Sequence, residues 1–232
     1  SVLADGTTLL GNPGQGSLDY LPEPIRRYSA LELSLENTFG RKLHLASTYV
    51  LSRTYGNYPG VFDTDSSNPH SHVTNLFWDV SQISEGLLPN DRTHVFKTYG
   101  SYGFDFGMTV GGFFTWQSGT PLCEYGGTPL GPEAFSHIVP RGTAGRTPSI
   151  WDASLRVAYD LSRITGGIGG ARSRVLLDVF HLFGQKEMVN VEQVHYFALD
   201  DEGNQTGLNP NYGKVKEYQP PMTIRFGLEI AF

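Results

Sequence analysis

The chain has 232 residues and a formal net charge of −6, with 17 Lys and Arg against 23 Asp and Glu. This acidic balance argues against a nucleic-acid partner, because affinity for phosphates comes from clustered basic side chains. Cys123 is the single cysteine, which excludes an internal disulfide and a metal site built on several thiolates. No apolar run reaches the roughly 18 residues of a transmembrane helix, whereas a transmembrane β-strand needs only about ten alternating residues.

Seven segments alternate between apolar and polar residues with a period of two, which predicts β-strands with two different faces. The alternation is clearest in SIWDASLRVAYDL, where Trp151, Leu155 and Tyr159 oppose Asp152 and Arg156. In chain order the predicted strands are 28–38, 43–53, 93–104, 107–117, 149–161, 174–183 and 222–232.

The connections between these strands alternate in length. Short turns are predicted at 39–42, 105–106 and 162–171, the last of them rich in glycine. Long polar loops are predicted at 54–92, 118–148 and 184–219, and residues 1–27 are a further loop or partial strand. Compact soluble domains rarely contain loops longer than about 15 residues. All the long loops lie on one side of an up-and-down meander, which is typical of outer-membrane barrels with short periplasmic turns and long extracellular loops.

The two faces of the predicted sheet differ in chemistry. One face is apolar and carries almost no charge. The other carries Glu32, Glu36, Lys97, Asp152, Arg156, Asp160, Asp178, Arg225 and Glu229. A soluble β-sandwich would also alternate, but aromatic residues near the strand ends favour a membrane, where they would form interfacial girdles. These residues are Tyr28, Phe104, Trp116, Trp151, Tyr159, Phe183 and Phe232.

The predicted number of strands indicates that more chain is needed to close the sheet. Bacterial outer-membrane barrels have even numbers of strands, and seven is odd. An open sheet would also expose two unpaired edges to lipid, where backbone groups cannot be left unsatisfied. We therefore expect an all-β, antiparallel segment of a transmembrane barrel, forming the C-terminal part of a larger protein.

Six charged residues are the candidates for the barrel lumen: Asp152, Arg156, Asp160, Asp178, Arg225 and Glu229. They either line a solute path or form a polar wall whose members satisfy one another. DTDSSN at 63–68 lacks the Gly and Glu of a helix-loop-helix calcium site, and HSH at 70–72 lacks a third ligand. No nucleophile motif is present, so we predict no metal, no cofactor and no catalytic residue.

Several stretches of the chain resemble the C-terminal barrel of TonB-dependent outer-membrane transporters, in the Oar-like branch that carries an N-terminal carboxypeptidase-regulatory-like domain. They are SRTYGNYPGVF (52–62), LPNDRTHVFKTYGSYGF (88–104), QSGTPL (117–122), PRGTAGRTPSIWDASLRVAYDL (140–161), VLLDVFHLFGQKE (175–187) and the terminal Phe232. The resemblance covers about residues 27–232.

The resemblance implies a barrel of about 22 strands around a plug domain, of which this chain would supply the last seven. It also implies a Gram-negative outer membrane, a periplasmic C-terminus, transport of an unidentified substrate and energy delivered by the TonB complex. Phe232 would then be the aromatic residue read by the barrel-assembly machinery. The remaining partners would be the rest of the barrel, the plug and the lipid bilayer.

Two other interpretations stay open at the level of sequence. One is a free-standing small outer-membrane barrel that acts as an adhesin or on lipids. The other is a soluble all-β binding module, which would need no detergent to stay monomeric.

Overall fold

The computed structural model describes residues 14–16, 19, 22–60, 81–129, 131–165 and 172–231. The sequence motifs at 63–68, 70–72 and 166–170, and Phe232, lie outside these ranges. None of the helices in these ranges is both long enough and apolar enough to cross a membrane. The strands are β1 (Arg26–Phe39), β2 (Leu43–Gly56), β3 (Gly86–Leu87), β4 (His94–Gly103), β5 (Met108–Gln117), β6 (Tyr125–Thr128), β7 (Gly131–His137), β8 (Ile150–Asp160), β9 (Arg172–Phe180), β10 (Met188–Val191), β11 (Tyr196–Leu199), β12 (Gln205–Leu208), β13 (Val215–Tyr218) and β14 (Thr223–Ala231), and the short helices are α1 (Ser81–Ser84) and α2 (Ser162–Thr165).

Seven of the strands form one antiparallel meander in the order β1-β2-β4-β5-β8-β9-β14, and β3 pairs with the end of β2. Each strand lies beside the next long strand in the chain, so the topology is up-and-down throughout. The seven predicted strands are confirmed, and their boundaries differ from the prediction by at most three residues. The all-β antiparallel fold class is confirmed as well.

The meander is open. Within the described residues, β1 and β14 each pair on one side only and do not pair with each other. Both strands are also largely exposed along their length. Two rows of backbone donors and acceptors are therefore available at the edges for pairing with further strands.

The register fixes which residues share a face. Lys97 lies opposite Thr115, and Thr115 lies opposite Asp152, so these three form one cross-strand row. Because the side-chain period is two and the long strands pair without irregularity, all nine charged residues of the predicted polar set fall on the same side. We call this side the polar face and the opposite side the apolar face.

Tyr28 differs from the girdle prediction. It lies opposite Thr54 and shares the polar face with Glu32 and Lys97. A single aromatic at a strand end does not reveal its side, because only the register with the neighbouring strand decides it.

The apolar face carries an aromatic cluster at each end. Toward the long loops, the ring centroid of Trp151 lies 6.0 Å from that of Phe114 and 5.5 Å from that of Phe183. Toward the short turns, the centroid of Phe104 lies 4.7 Å from that of Tyr102 and 5.2 Å from that of Phe106. Between them β5 has 10 residues, about 33 Å of strand at roughly 3.3 Å per residue. A tilt of about 40° would reduce this to about 25 Å, the height of the apolar band of an outer-membrane barrel.

The meander has almost no hydrophobic core of its own. In its strands, within the described part of the chain, only Ala46 and Ala158 are buried apolar residues. Large apolar side chains are exposed instead, including Leu35 at 65% and Phe226 at 80%. A continuous apolar surface of this size is rare on a soluble monomer, so the apolar face requires an apolar environment that the described chain does not provide.

All three long loops predicted between the strands contain short strands that were not predicted, and the one within 54–92 is β3. The strands β6 and β7 form a hairpin within 118–148. In the segment after β9, β10 pairs with β13 and β11 pairs with β12. Most of these strands have only four residues, which is too short for an alternating pattern to stand out from a polar background.

Candidate functional site

The centre of the candidate site is a row of three charged residues on the polar face. The register places Asp178 directly between Arg156 and Arg225. Its carboxylate accepts bonds from Arg156 Nε at 2.5 Å and Nη2 at 3.2 Å, and from Arg225 Nε at 3.0 Å and Nη2 at 2.6 Å. Arg156 donates to both carboxylate oxygens, which is the bidentate geometry of the stronger pairs, whereas both donors of Arg225 share Oδ2.

The three residues differ in exposure. Asp178 is buried, whereas the side chains of Arg156 and Arg225 are 53% and 60% exposed. The ring of Phe180 supports Arg225 from below, with 5.3 Å between its centroid and the guanidinium carbon. The row is thus a fixed polar wall that still presents two cationic surfaces.

The other predicted lumen residues near this row have separate partners. Glu229 lies opposite Arg174, and their charged atoms are 3.9 Å apart. Asp160 accepts a hydrogen bond from the backbone N–H of Ser162 and so caps the turn after β8. The structure therefore brings together Arg156, Asp178 and Arg225, with Glu229 beside them and Asp160 at the short-turn end.

The sixth candidate, Asp152, lies near the long-loop end of β8 and pairs with His181. Alternation along β9 predicts that His181 lies on the apolar face or at its rim. In the structure His181 has a φ of +53°, which ends the strand at Phe180, and its Nδ1 lies 3.0 Å from Asp152 Oδ1. A left-handed residue breaks the period of two, so the imidazole joins the polar face instead.

A second group of contacts unites the sequence stretches that carry the family resemblance. Asp91 is 1% exposed and accepts bonds from the Thr54 backbone N–H at 2.7 Å and from Arg146 Nη2 at 2.5 Å. Arg146 also donates to the carbonyl of Gly119 at 2.6 Å. Arg92 donates to the carbonyl of Ser118 at 2.7 Å. We call this group the rim cluster, comprising residues 91–92, 118–120 and 146–147.

Gly119 shows how tightly the rim cluster is packed. A Cβ atom at this position would lie 1.6 Å from the carbonyl oxygen of Thr147, so no other residue fits. The neighbouring Thr120 N–H donates to Thr147 Oγ1 at 2.9 Å. In the sequence these stretches are markers of the family resemblance only. Neither periodicity nor spacing predicts the contact between Asp91 and Arg146, which are 55 positions apart.

The long loops also join each other above the sheet. Cys123, Tyr125 and Val194 form a small core against which Phe135 packs. The backbone N–H of Tyr125 donates to the Gln193 carbonyl at 2.9 Å, and that of His195 donates to the Tyr125 carbonyl at 2.7 Å. We call the joined segments 122–138 and 188–218 the loop body. Since it has its own core and backbone bridges, its two loops form one structural unit.

A stacked imidazole reinforces the loop body. The ring of His195 lies between Tyr212 and Tyr196, with centroid distances of 4.0 Å and 4.1 Å. Its Nδ1 lies 2.5 Å from the carboxylate of Glu124 on the other loop. Burial, together with the Glu124 charge, raises the pKa of Tyr212, so its phenol stays protonated at neutral pH. The arrangement joins the two loops through stacking and one hydrogen bond.

Within the described ranges, no group of three or more His, Cys, Asp or Glu side chains could hold a metal ion. The stretches at 63–68 and 70–72 lie outside those ranges and stay predictions.

These features define a class of protein. An open meander with an apolar face, aromatic clusters at both ends, a charged opposite face and joined loops on one side is part of the wall of a transmembrane β-barrel. No protein-family model matches the chain. The TonB-dependent transporter Oar of Myxococcus xanthus is 31% identical in an alignment 267 residues long. The alignment covers 98% of this chain and 24% of Oar.

Two solved structures are similar at 13% identity. The ferric-catecholate import receptor Fiu of E. coli K12 has a TM-score of 0.48, with 90% of this chain and 22% of that chain covered. The ferripyoverdine receptor of the Pseudomonas aeruginosa outer membrane, bound to ferripyoverdine, has a TM-score of 0.47, with 87% and 19% covered. On the sequence similarity to Oar, the chain belongs to the TonB-dependent transporter family, and it spans about a quarter of the length of Oar.

Replacement of Asp91 by Asn will loosen the rim cluster. The change removes the only ion-pair partner that Arg146 has among the described residues and leaves the half-buried guanidinium without a carboxylate. We expect the free energy of local opening at residues 117–122 and 144–147 to fall by about 2 kcal/mol, measured by amide hydrogen exchange on the intact protein in detergent. Asp105→Asn removes an ion pair whose acid is 83% exposed and serves as the control, with little expected effect. Unchanged protection in Asp91→Asn would show that the ion pair does not hold the rim together.

The loop body will become less stable at acidic pH because of His137. Burial, assisted by the nearby Arg141 charge, holds the pKa of this imidazole well below its ordinary value. The opened state therefore binds a proton below about pH 6.5 while the folded state does not. Stability contributed by the neutral ring is complete above that pH and declines as the pH falls toward the folded-state pKa. Amide exchange in β6 and β7 should accelerate between pH 7.5 and 5 after correction for intrinsic rates. His137→Gln should remove this acceleration, and an equal acceleration in the variant would assign it to another group.

Proposed function

We propose that the protein is a receptor-type transporter of a Gram-negative outer membrane, energised through TonB, and that this chain forms part of its barrel wall and extracellular loops. The observation that carries the proposal is a two-faced open meander in a chain that is 31% identical to Oar over 98% of its length. An apolar face without protein cover suits contact with lipid, and a charged face suits a lumen.

The strand directions give the proposal an orientation. The short turns 40–42 and 104–107 lie at the end of the sheet where β14 finishes. In this family architecture short turns face the periplasm, so the C-terminus is assigned to that side and the rim cluster and loop body to the outside. We propose that Phe232, which lies outside the described residues, is the aromatic residue that the barrel-assembly machinery reads.

The six predicted lumen residues are assigned a wall function. Much of the charge of Asp178 is neutralised by Arg156 and Arg225. Glu229 pairs with Arg174, and Asp152 pairs with His181. We propose that this wall packs against a plug domain encoded elsewhere in the full protein. Since no acid or base in the row is left poised beside a nucleophile, the proposal includes no catalysis by this chain.

The joined loops are assigned a gating role at the outer mouth. The rim cluster ties the loops to the strand ends, and the loop body ties one loop to the other. We propose that the loop body moves during transport as one unit rather than as two independent loops.

The proposal can be tested on the native protein. The intact mass of the outer-membrane species that contains this sequence should be roughly four times the 25.6 kDa of the chain, because the chain covers 24% of Oar. The purified species should also bind the periplasmic domain of TonB in a pull-down. A native species of about 25.6 kDa that forms a heat-modifiable barrel alone would contradict the proposal and favour a free-standing small barrel. A larger species that fails to bind TonB would remove the energy source while keeping the barrel.

A further inference from the structure

A groove on the polar face near the long-loop end is lined by cationic and neutral residues. Its volume is about 330 Å³. The lining includes no acidic residue and consists of Arg26, Tyr28, Val50, Ser52, Thr54, Asn90, Arg92, Val95 and Lys97. This composition differs from that of the Asp178 row, where arginines and acids alternate.

The register explains how three distant cations reach one groove. Arg26 pairs with Gly56 and Lys97 pairs with Thr48, so the two are eight residues apart along β2. That separation is roughly 26 Å at about 3.3 Å per residue. Their long side chains line the groove from its two ends, and Arg92 reaches it from the loop that precedes β4. The groove is therefore elongated along the strand direction.

Backbone carbonyls hold two of the cations without neutralising them. Arg26 Nη1 donates to the Pro59 carbonyl at 2.8 Å, and Arg92 Nη1 donates to the Ser118 carbonyl at 2.7 Å. Among the described residues, neither of these arginines forms an ion pair with a carboxylate, and neither does Lys97.

The nearby acids are engaged elsewhere. Asp91 is buried, and its carboxylate is engaged by Arg146 and by the backbone N–H of Thr54. Glu32 lies on β1, opposite Val50 of β2. Its carboxylate accepts a hydrogen bond from the Ser34 hydroxyl at 3.3 Å. Burial, together with the Arg146 charge, lowers the pKa of Arg92. This shift shows that the Arg92 cation is imperfectly compensated and would gain from a nearby anion.

We propose that this groove, which we call the cationic groove, binds an elongated anionic ligand with two or more acidic groups, and that it is a substrate subsite. The assignment as a substrate subsite rests on the proposed transport function, since it requires the polar face to line the lumen. Arg26 and Lys97 bind acidic groups at the two ends, and Arg92 binds the middle of the ligand. Hydroxyl and amide groups of Tyr28, Ser52 and Asn90 supply neutral hydrogen bonds along the groove.

Carboxylates and phosphates share the charge and the acceptor oxygens that such a groove recognises. Binding of either is expected to weaken as salt is added, because part of the groove is exposed and its charges are screened. An uncharged ester of the same size should gain nothing from the three cations.

The test uses the full-length protein in detergent, with 3,6,9-trioxaundecanedioate and linear pentaphosphate as the probes, because both are long enough to reach the side chains at the two ends of the groove. The dimethyl ester of the diacid is the uncharged control, and binding is measured by isothermal titration calorimetry at low salt. At least one anion should bind, and the dimethyl ester should not. Arg26→Gln and Lys97→Gln should each weaken binding by about tenfold, the size of one charge-assisted contact. Arg174→Gln removes one positive charge from the same face outside the groove, and it should change the affinity by less than about twofold. Heat-dependent gel migration of each variant confirms that the barrel is intact.

The proposal is overturned if neither anion binds, if the dimethyl ester binds as well as the diacid, or if Arg174→Gln weakens binding as much as Lys97→Gln does. Because binding is measured on the purified protein without TonB, its failure leaves the transport proposal standing. Conversely, anion binding in a protein that does not bind TonB would keep the groove as an anion site and remove its role in transport.

Discussion

The apolar face of the meander has no protein partner in the described chain, and the other features of the structure follow from that constraint. A sheet of alternating residues normally buries its apolar side against a second layer. Here the side chains of Leu31, Leu33, Phe226 and Leu228 are more than half exposed. In lipid this surface is at no disadvantage, because the hydrocarbon takes the place of a protein core. The constraint then falls on the backbone, because every N–H and C=O group in lipid must be paired within a closed sheet.

Polar interactions replace the missing core as the source of internal order. On the polar face, Asp178 fixes Arg156 and Arg225 across three adjacent strands, which pins their register. At the rim, Asp91 and Arg146 connect two loops to the strand ends. Above the rim, the small core around Tyr125 joins loops that the sheet alone would leave apart. The interactions that hold the chain together thus change with distance from the apolar band. They are sheet hydrogen bonds in the meander, an ion pair with a buried acid at the rim, and a small hydrophobic core in the loop body.

The sheet could be predicted from the sequence because its determinants are local. Period-two alternation locates every long strand, and the contrast between Leu155 and Arg156 assigns the faces. The rim cluster could not be predicted in this way, because Asp91 and Arg146 are distant in sequence and only the fold brings them together. The position of His181 depended on one left-handed residue, and that of Tyr28 on the register with β2. The cationic groove depended on register as well, since the pairing of β1, β2 and β4 brings the long side chains of Arg26 and Lys97 to the two ends of one groove.

The claim on which the account rests is that the apolar face contacts lipid while the polar face does not. Spin labels at successive positions of β8, from Ala153 to Ala158, would test it in the full-length protein reconstituted in liposomes. The account predicts high accessibility to lipid-dissolved oxygen at Ala153, Leu155 and Val157 and low accessibility at Ser154, Arg156 and Ala158, with a period of two. Equal accessibility at both sets, or the opposite alternation, would contradict it.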